Sequence, residues 1–282
     1  MTKAMKAMKV MKATMNKAHF GNKVSHKEWL YTKEYRDKYP FFFMWMTSLS
    51  SMTTWNFPDS TGLCLGLISV GMGQIVTLGY LYLWNRWKNR KILYSFRQMA
   101  WNHLTQIEGL CILGAYLCIS WYGRWLPVSY YTLNGSIQWS QVGMQLVVQD
   151  IGQYVMHRLE HTIKPLYRIG HQYHHKHIHP RWYHAFEGSI VDTGCMILIP
   201  LMVTSQMVRN CNTWTYMVFG TIYSMSLVCI HSEYDHPWEY IFQLCLIGTS
   251  KDHQLHHRYF TCNYGHVFMW WDVVCGTYRR VD

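Results

Sequence analysis

"GLCLGLISVGMGQIVTLGYLYLW" (62–84) runs for 23 residues without a charged side chain. A helix of that length rises about 34 Å, enough to cross a hydrocarbon core of about 30 Å. "EGLCILGAYLCISWYGRW" (108–125) is a second apolar run, with charge only at its ends. "TGCMILIPLMVTSQMV" (193–208) and "TWTYMVFGTIYSMSLVCI" (213–230) are a third and a fourth, separated by Arg209-Asn210-Cys211-Asn212. Buried core helices of a soluble protein are the alternative, but four near-uncharged runs in one short chain speak against it. Only 15% of the residues are charged, against about 25% in an ordinary soluble domain. The predicted class is all-α integral membrane, with about four transmembrane helices in two hairpins and a membrane-proximal helical domain.

The net charge is +11, and its placement divides the chain. Residues 1–38 form a basic N-terminal segment whose first 27 residues hold seven Lys and no acid. Such a segment suits an anionic membrane surface, a presequence or a basic tail. Residues 39–136 contain the aromatic stretch "YPFFFMWMTSLSSMTTWNF" (39–57), interfacial or re-entrant in character, and the first hairpin. Residues 137–282 carry a helix from Ile137 to about His161, the second hairpin and most of the histidines. The basic residues form no patch of their own, so nucleic acid is not an expected partner. Nine scattered cysteines without a CxxC pair read as small hydrophobes in a reducing setting. Arg86, Lys88, Arg90 and Lys91 would place the 85–106 connection on the cytosolic side. The boxes, the basic tail and the C-terminus are also expected on that side, which calls for an extra pass or re-entrant segment at 39–57.

Eight of the 17 histidines fall into three clusters. "HRLEH" supplies His157 and His161, "HQYHH" supplies His171, His174 and His175, and "HQLHH" supplies His253, His256 and His257. On a helix, positions i, i+3 and i+4 share a face, and neutral imidazole is the commonest side-chain metal ligand. Eight imidazoles exceed what one four-coordinate ion needs, which points to two metals. Asp150, Tyr154, His157 and His161 recur at i, i+4, i+7 and i+11, so the carboxylate and the phenol are candidate supports for the two rings. His231, at the end of the fourth apolar run, is a further candidate ligand. His184, His236 and Glu187 are weaker ones, and His177 and His179 suit a solvated loop equally well. His19, His26, His103 and His266 carry no spacing signal.

These residues resemble the fatty acid hydroxylase/sterol desaturase superfamily of membrane di-iron oxygenases. "DIGQYVMHRLEH" is similar to that family's D-x3-Y-W-x-H-R-x2-H, with Val155 where Trp is usual. "HHRYFTCNYGHVFMWWDVVCGTYRR" resembles the ending of sterol carbon-5 desaturases and carbon-4 methylsterol oxidases, and puts Asn263 beside the candidate supports. The resemblance covers roughly 145–281. "HAFEG" departs from the usual "HAFHP", with Glu187 and Gly188 replacing His-Pro, and His236 replaces the usual Phe before Pro237.

The resemblance implies two iron ions held by His157, His161, His171, His174, His175, His231, His253, His256 and His257, with zinc a possible substitute. It further implies O2-dependent hydroxylation or desaturation of a sterol or other membrane lipid, and an electron donor such as cytochrome b5, because the chain has no dinucleotide fingerprint of its own. The expected location is the endoplasmic reticulum, with the mitochondrial inner membrane as alternative. Trp182, Tyr183, Phe186, Phe268, Trp270 and Trp271 are candidate pocket walls or interfacial anchors. Two other classes stay open: a structural subunit of a larger membrane complex, and an imidazole-ligated zinc protein.

Overall fold

The computed structural model describes residues 58–88 and 95–280. The basic segment, the aromatic stretch 39–57 and the Arg90–Lys91 pair lie outside them. Helix α1 (Thr61–Trp87) contains the first apolar run. Many of its large side chains point outward, with Ile68 and Ile75 about 60% exposed, while Gly73, Gln74 and Thr77 are buried along with Leu63, Leu78 and Leu81. Small residues inward and branched apolar residues outward is the pattern of a helix solvated by lipid. Lys88 sits over the Trp84 and Trp87 rings at its end, as interfacial anchors do.

The second apolar run is not one straight span. Helix α2 (Phe96–Leu104), capped by the Ser95–Gln98 box, leads through a π-turn at Ile107–Cys111 into α3 (Ile112–Tyr122). The pair is bent by 44°. The turn carries Gly109 against Phe186, whose Cβ would lie 2.6 Å from any Cβ placed at 109. Three described helices are long and apolar enough to cross a membrane, and a bent pair makes up to four.

Helix α4 (Trp139–Thr162) is built differently, because beside Val142 and Tyr154 its buried residues are polar: Gln145, Gln149, Asp150, Gln153, His157 and Glu160. Gln149 accepts from Thr204, Gln153 accepts from Tyr223, and Gln145 donates to Tyr130. A short α5 (Lys164–Ile169) follows. The second hairpin starts with α6 (Ile190–Thr193), a π-turn at Gly194–Leu198 and α7 (Ile199–Met207), which together form one span. It returns as α8 (Thr213–Ile230), with Asn212 as N-cap. α8 packs along α1, where Ser69 and Thr221 hydroxyls lie 2.8 Å apart. A Cβ on Gly73 would stand 2.6 Å from Thr221 Cγ2, so glycine is what permits this approach. Asp192 and His231 stand at the two open ends of this hairpin, so both ends meet at the site described next. The chain closes with α9 (Glu239–Leu244), α10 (Ser250–Tyr259) and α11 (Trp270–Val274).

Candidate metal centre

Each histidine box reaches the centre by a different local device. His157 and His161 come from the last turns of α4, one helical turn apart. "HQYHH" is not an α-helix, contrary to the expectation from its spacing: Gly170 ends α5, and His174–Lys176 form a 3-10 turn. "HQLHH" is helical on α10, which begins with a Thr249–Asp252 capping box and ends on Phe260 in the left-handed region, φ 64°.

These devices sort the imidazoles into two groups, across the boxes rather than by box. His157, His161, His171, His175 and His256 form one; His174, His231, His253 and His257 form the other; in each, all the ligand atoms lie within 4.8 Å. Within α10, His256 and His257 point about 100° apart, so one box serves both groups. The groups adjoin, with the His175 and His257 ring centres 4.4 Å apart.

Six rings have Nδ1 against a fixed acceptor. His157 meets Tyr264 O, His174 meets Glu187 O, His231 meets Leu227 O, His256 meets Cys262 O and His257 meets His177 O, at 2.7–2.9 Å. His171 Nδ1 meets Asp192 Oδ1 at 2.8 Å. An Nδ1–H donated in this way leaves Nε2 as a lone pair. Those lone pairs converge. His174 and His231 face each other at 3.3 Å, His231 and His253 at 3.0 Å, His253 and His257 at 3.1 Å. His175 Nε2 lies 3.1 Å from that of His161 and 2.9 Å from that of His256. Two imidazoles on one ion, with bonds of about 2.0–2.1 Å, have their nitrogens about 2.8–3.4 Å apart. His157 Nε2 and His171 Nε2 are buried without a hydrogen-bond partner. Where both Nδ1 atoms are tied, as in His174 and His231, facing lone pairs repel unless a cation lies between them; with the ligand atoms of each group within 4.8 Å of one another, the residues fit metal ions at both groups.

Electrostatics agree with a ligand role. Burial, reinforced by the neighbouring rings, pushes His161 down to about 3 and His174 to about 4, and lowers His157, His175, His231, His253, His256 and His257 as well. The rings are therefore neutral and able to ligate at neutral pH. Glu160 is held above its ordinary range by burial and then by Asp192.

Several candidate residues have other tasks. Asp150 does not touch an imidazole; its carboxylate accepts the backbone N–H groups of His266, Val267 and Phe268 at 2.7–3.2 Å. Tyr154 pairs with Thr277 and receives Arg158. Asn263, at φ 55°, donates to Asp252 O and Arg279 O and accepts from Arg279 N. These three brace the C-terminal turn, because their reach from α4 and the loop ends at its backbone. The rings are oriented mostly by carbonyls, which composition cannot reveal. His236 is also outside both groups: Tyr80 OH lies 2.8 Å from its Nδ1 and its ring stacks on Trp238. His184 and Glu187 form a polar knot with His177 and Lys176. Arg181 N donates to His184 Nδ1, which leaves the proton on Nε2, on the side of Glu187; His177, His184 and Glu187 together form a separate, less buried cluster of possible ligand atoms. Glu187 contributes through its main chain, as the acceptor for His174.

Two residues escaped the sequence reading. His266 is buried, with ring centres 5.0 Å from His157 and 5.1 Å from His253, between the groups. Nothing in its spacing signals this, because the left-handed turn at Asn263 is what brings it in. Asp192 had a signal, a carboxylate at the start of an apolar span, where ionisable residues are costly and functional.

A space of about 430 Å³, partly open to the surroundings, lies against the centre, lined by His171, His174, Asp192, His231 and His266 together with Gln153, Phe186, Ile197 and Leu227. A second space of about 760 Å³, partly open to the surroundings, runs between α1, α3, α7 and α8 and is almost wholly apolar. Phe186, Ile197 and Leu227 line both. Of the six aromatics proposed as walls, Phe186 has this position, whereas Trp182 is packed against Phe96 and His103.

Residues 142–277, which include both imidazole groups, match the fatty acid hydroxylase family. The chain is 45% identical over 233 residues to an alternative squalene epoxidase of Phaeodactylum tricornutum, covering 79% of this chain and 67% of that protein. The chain belongs to the fatty acid hydroxylase/sterol desaturase family. It is also 32% identical to a methylsterol monooxygenase of Aspergillus fumigatus, over 49% of this chain and 46% of the relative. A Delta(7)-sterol 5(6)-desaturase of the same fungus is 31% identical, over 64% and 57%. The chain thus spans about half the length of these two sterol-modifying relatives. No solved structure matches.

Proposed function

We propose that this family member is a membrane di-iron oxygenase acting on a long apolar lipid, and that its substrate is a linear polyene of the squalene type, converted to an epoxide. The observation that carries this reading is the juncture of an apolar crevice between membrane helices with the cavity at the imidazole groups. A substrate with no polar head needs a wall with no polar partner, and the crevice supplies it. The 45% identical relative is named for epoxidation of such a molecule, and this favours it over a sterol.

Attack on an alkene by O2 lies outside the chemistry of acid–base side chains; bound iron would supply it. One oxygen atom enters the double bond, and the other leaves as water, with two electrons and two protons. An external carrier of the cytochrome b5 type supplies the electrons in the endoplasmic reticulum membrane. The chain's own part is to hold the imidazoles by their Nδ1 atoms, keep bulk water out, and bring one end of the substrate to the centre. Hydroxylation or desaturation of a sterol is the second reading, favoured by the methylsterol monooxygenase and desaturase matches.

The test is turnover of squalene by iron-loaded protein in nanodiscs with a reductase–carrier system under ¹⁸O2. A product carrying one ¹⁸O atom is expected. Turnover of a sterol with none of squalene would move the substrate to the second reading. Protein that retains no metal yet assembles stably with partners would make the chain a structural subunit.

A further inference from the structure

The wall between the crevice and the metal cavity is held in place by a polar device inside the membrane region. Phe186 is 7% exposed and lines both spaces. Gly109, in the π-turn, lets its Cβ approach the backbone. Behind it, the His103 ring stacks on Phe186 with centres 5.3 Å apart and planes 26° apart. His103 is itself wholly buried and bonded to Gln74 of α1, Nε2 to Oε1 at 3.0 Å. Buried polar groups at membrane depth are costly, and neither His103 nor Gln74 belongs to a metal group. The contact of His103 with Phe186, with Gln74 behind it, is the one that bears on substrate passage.

We infer that Phe186, buttressed by His103 and Gln74, is the selectivity element of the site: it admits the end of a single methyl-bearing chain and turns away fused rings. This rests on the lipid-oxygenase reading and sharpens its substrate class. Ile197 and Leu227 complete the juncture, and both are aliphatic side chains slimmer than the Phe186 ring. The Phe186 ring is pinned on one face and at its Cβ, so it does not swing aside for a rigid polycycle.

The experiment reads position rather than turnover, so it stands even where the epoxidation reading fails. Apolar diazirine probes, one a linear polyene and one a sterol, are photolysed with the protein in nanodiscs, and the labelled peptides are mapped by mass spectrometry. In the wild type, the linear probe labels both crevice residues such as Leu117 and cavity residues such as Met196, whereas the sterol probe labels the crevice alone. Phe186→Ala and His103→Ala each raise sterol labelling at Met196 at least tenfold. His103→Phe, which keeps a ring behind Phe186 but gives up the bond to Gln74, raises sterol labelling less than His103→Ala does, and Gln74→Ala, which leaves the ring in place, raises it as well, with the linear-probe pattern intact. Sterol labelling of Met196 in the wild type, or unchanged exclusion in Phe186→Ala protein whose linear-probe pattern is intact, overturns the inference.

Discussion

Individual side chains at the centre act mainly through hydrogen bonds one step removed from the candidate ligand atoms. Asp192 is the carboxylate among the Nδ1 acceptors, bonded to His171 at 2.8 Å. Loss of such a partner typically weakens metal binding by about 10–100-fold. Asp192→Asn is expected to show a loss in that range by competitive chelator titration, with helical circular dichroism unchanged; equal affinity would remove Asp192 from the support of the site. Asp150 illustrates the opposite case. It takes three backbone N–H groups of the turn that carries His266. Asp150→Ala leaves those donors buried and unpaired at about 1–3 kcal/mol each. A drop in unfolding free energy of about 3 kcal/mol or more is therefore expected, together with loss of His266 from the centre. A variant as stable as the wild type would show that another group takes up the turn.

At the scale of elements, the contact between α1 and α8 depends on missing side chains. Gly73 faces Thr221, with no room for a Cβ. Between membrane helices, packing of small residues takes the place of the hydrophobic effect. Gly73→Leu should therefore force α1 outward at a cost of about 1–3 kcal/mol, seen as a lower melting temperature in detergent. Gly79→Leu, where a Cβ has open space, should have little effect, and equal losses in both would contradict the packing role. The same displacement would widen the crevice that α1 helps to line, so linear-probe labelling should weaken in parallel. The bend at Ile107–Cys111 belongs here too: the π-turn puts Gly109 under Phe186, where a straight span would have carried a side chain.

For the whole molecule, the boxes are a cross-link as well as a site. They join α4, the 171–176 turn, the end of α8 and α10. Chelation should therefore lower the melting temperature of the entire domain, not of one segment, and re-added metal should restore it. In the metal-free protein, pH acts with a definite sign. The folded values of His161 and His174, about 3 and about 4, lie below the unfolded value of about 6.5. Below pH 6.5 the unfolded chain takes up protons that the folded one refuses. Their contribution to stability is complete above that pH and is lost progressively toward pH 4. A metal-free melting temperature that held constant from pH 7 to 5 would show that the rings are less buried than this arrangement requires.

The membrane class followed from the sequence because lipid selects residues by composition alone: uncharged runs at 62–84, 193–208 and 213–230 needed no partner to be recognised. The boxes were equally legible as clusters of potential metal ligands, because imidazoles at i, i+3 and i+4 gather locally. What local spacing could not contain was how they are shared out. His174 is separated from its neighbour His175, and His256 from His257, by the direction in which each ring leaves its turn. The acceptors that fix the rings are backbone carbonyls, identical in every residue and so invisible in composition. His266 arrives through a left-handed turn, Asp150 is diverted to the backbone it happens to reach, and His103 reaches Phe186 only because α2 packs against the Trp182–His184 turn. Ligand type is a property of side chains, and the sequence determined it. Assignment of each ligand to a group, and of each support to a ligand, depends on contacts between distant segments, and only the tertiary structure decided them.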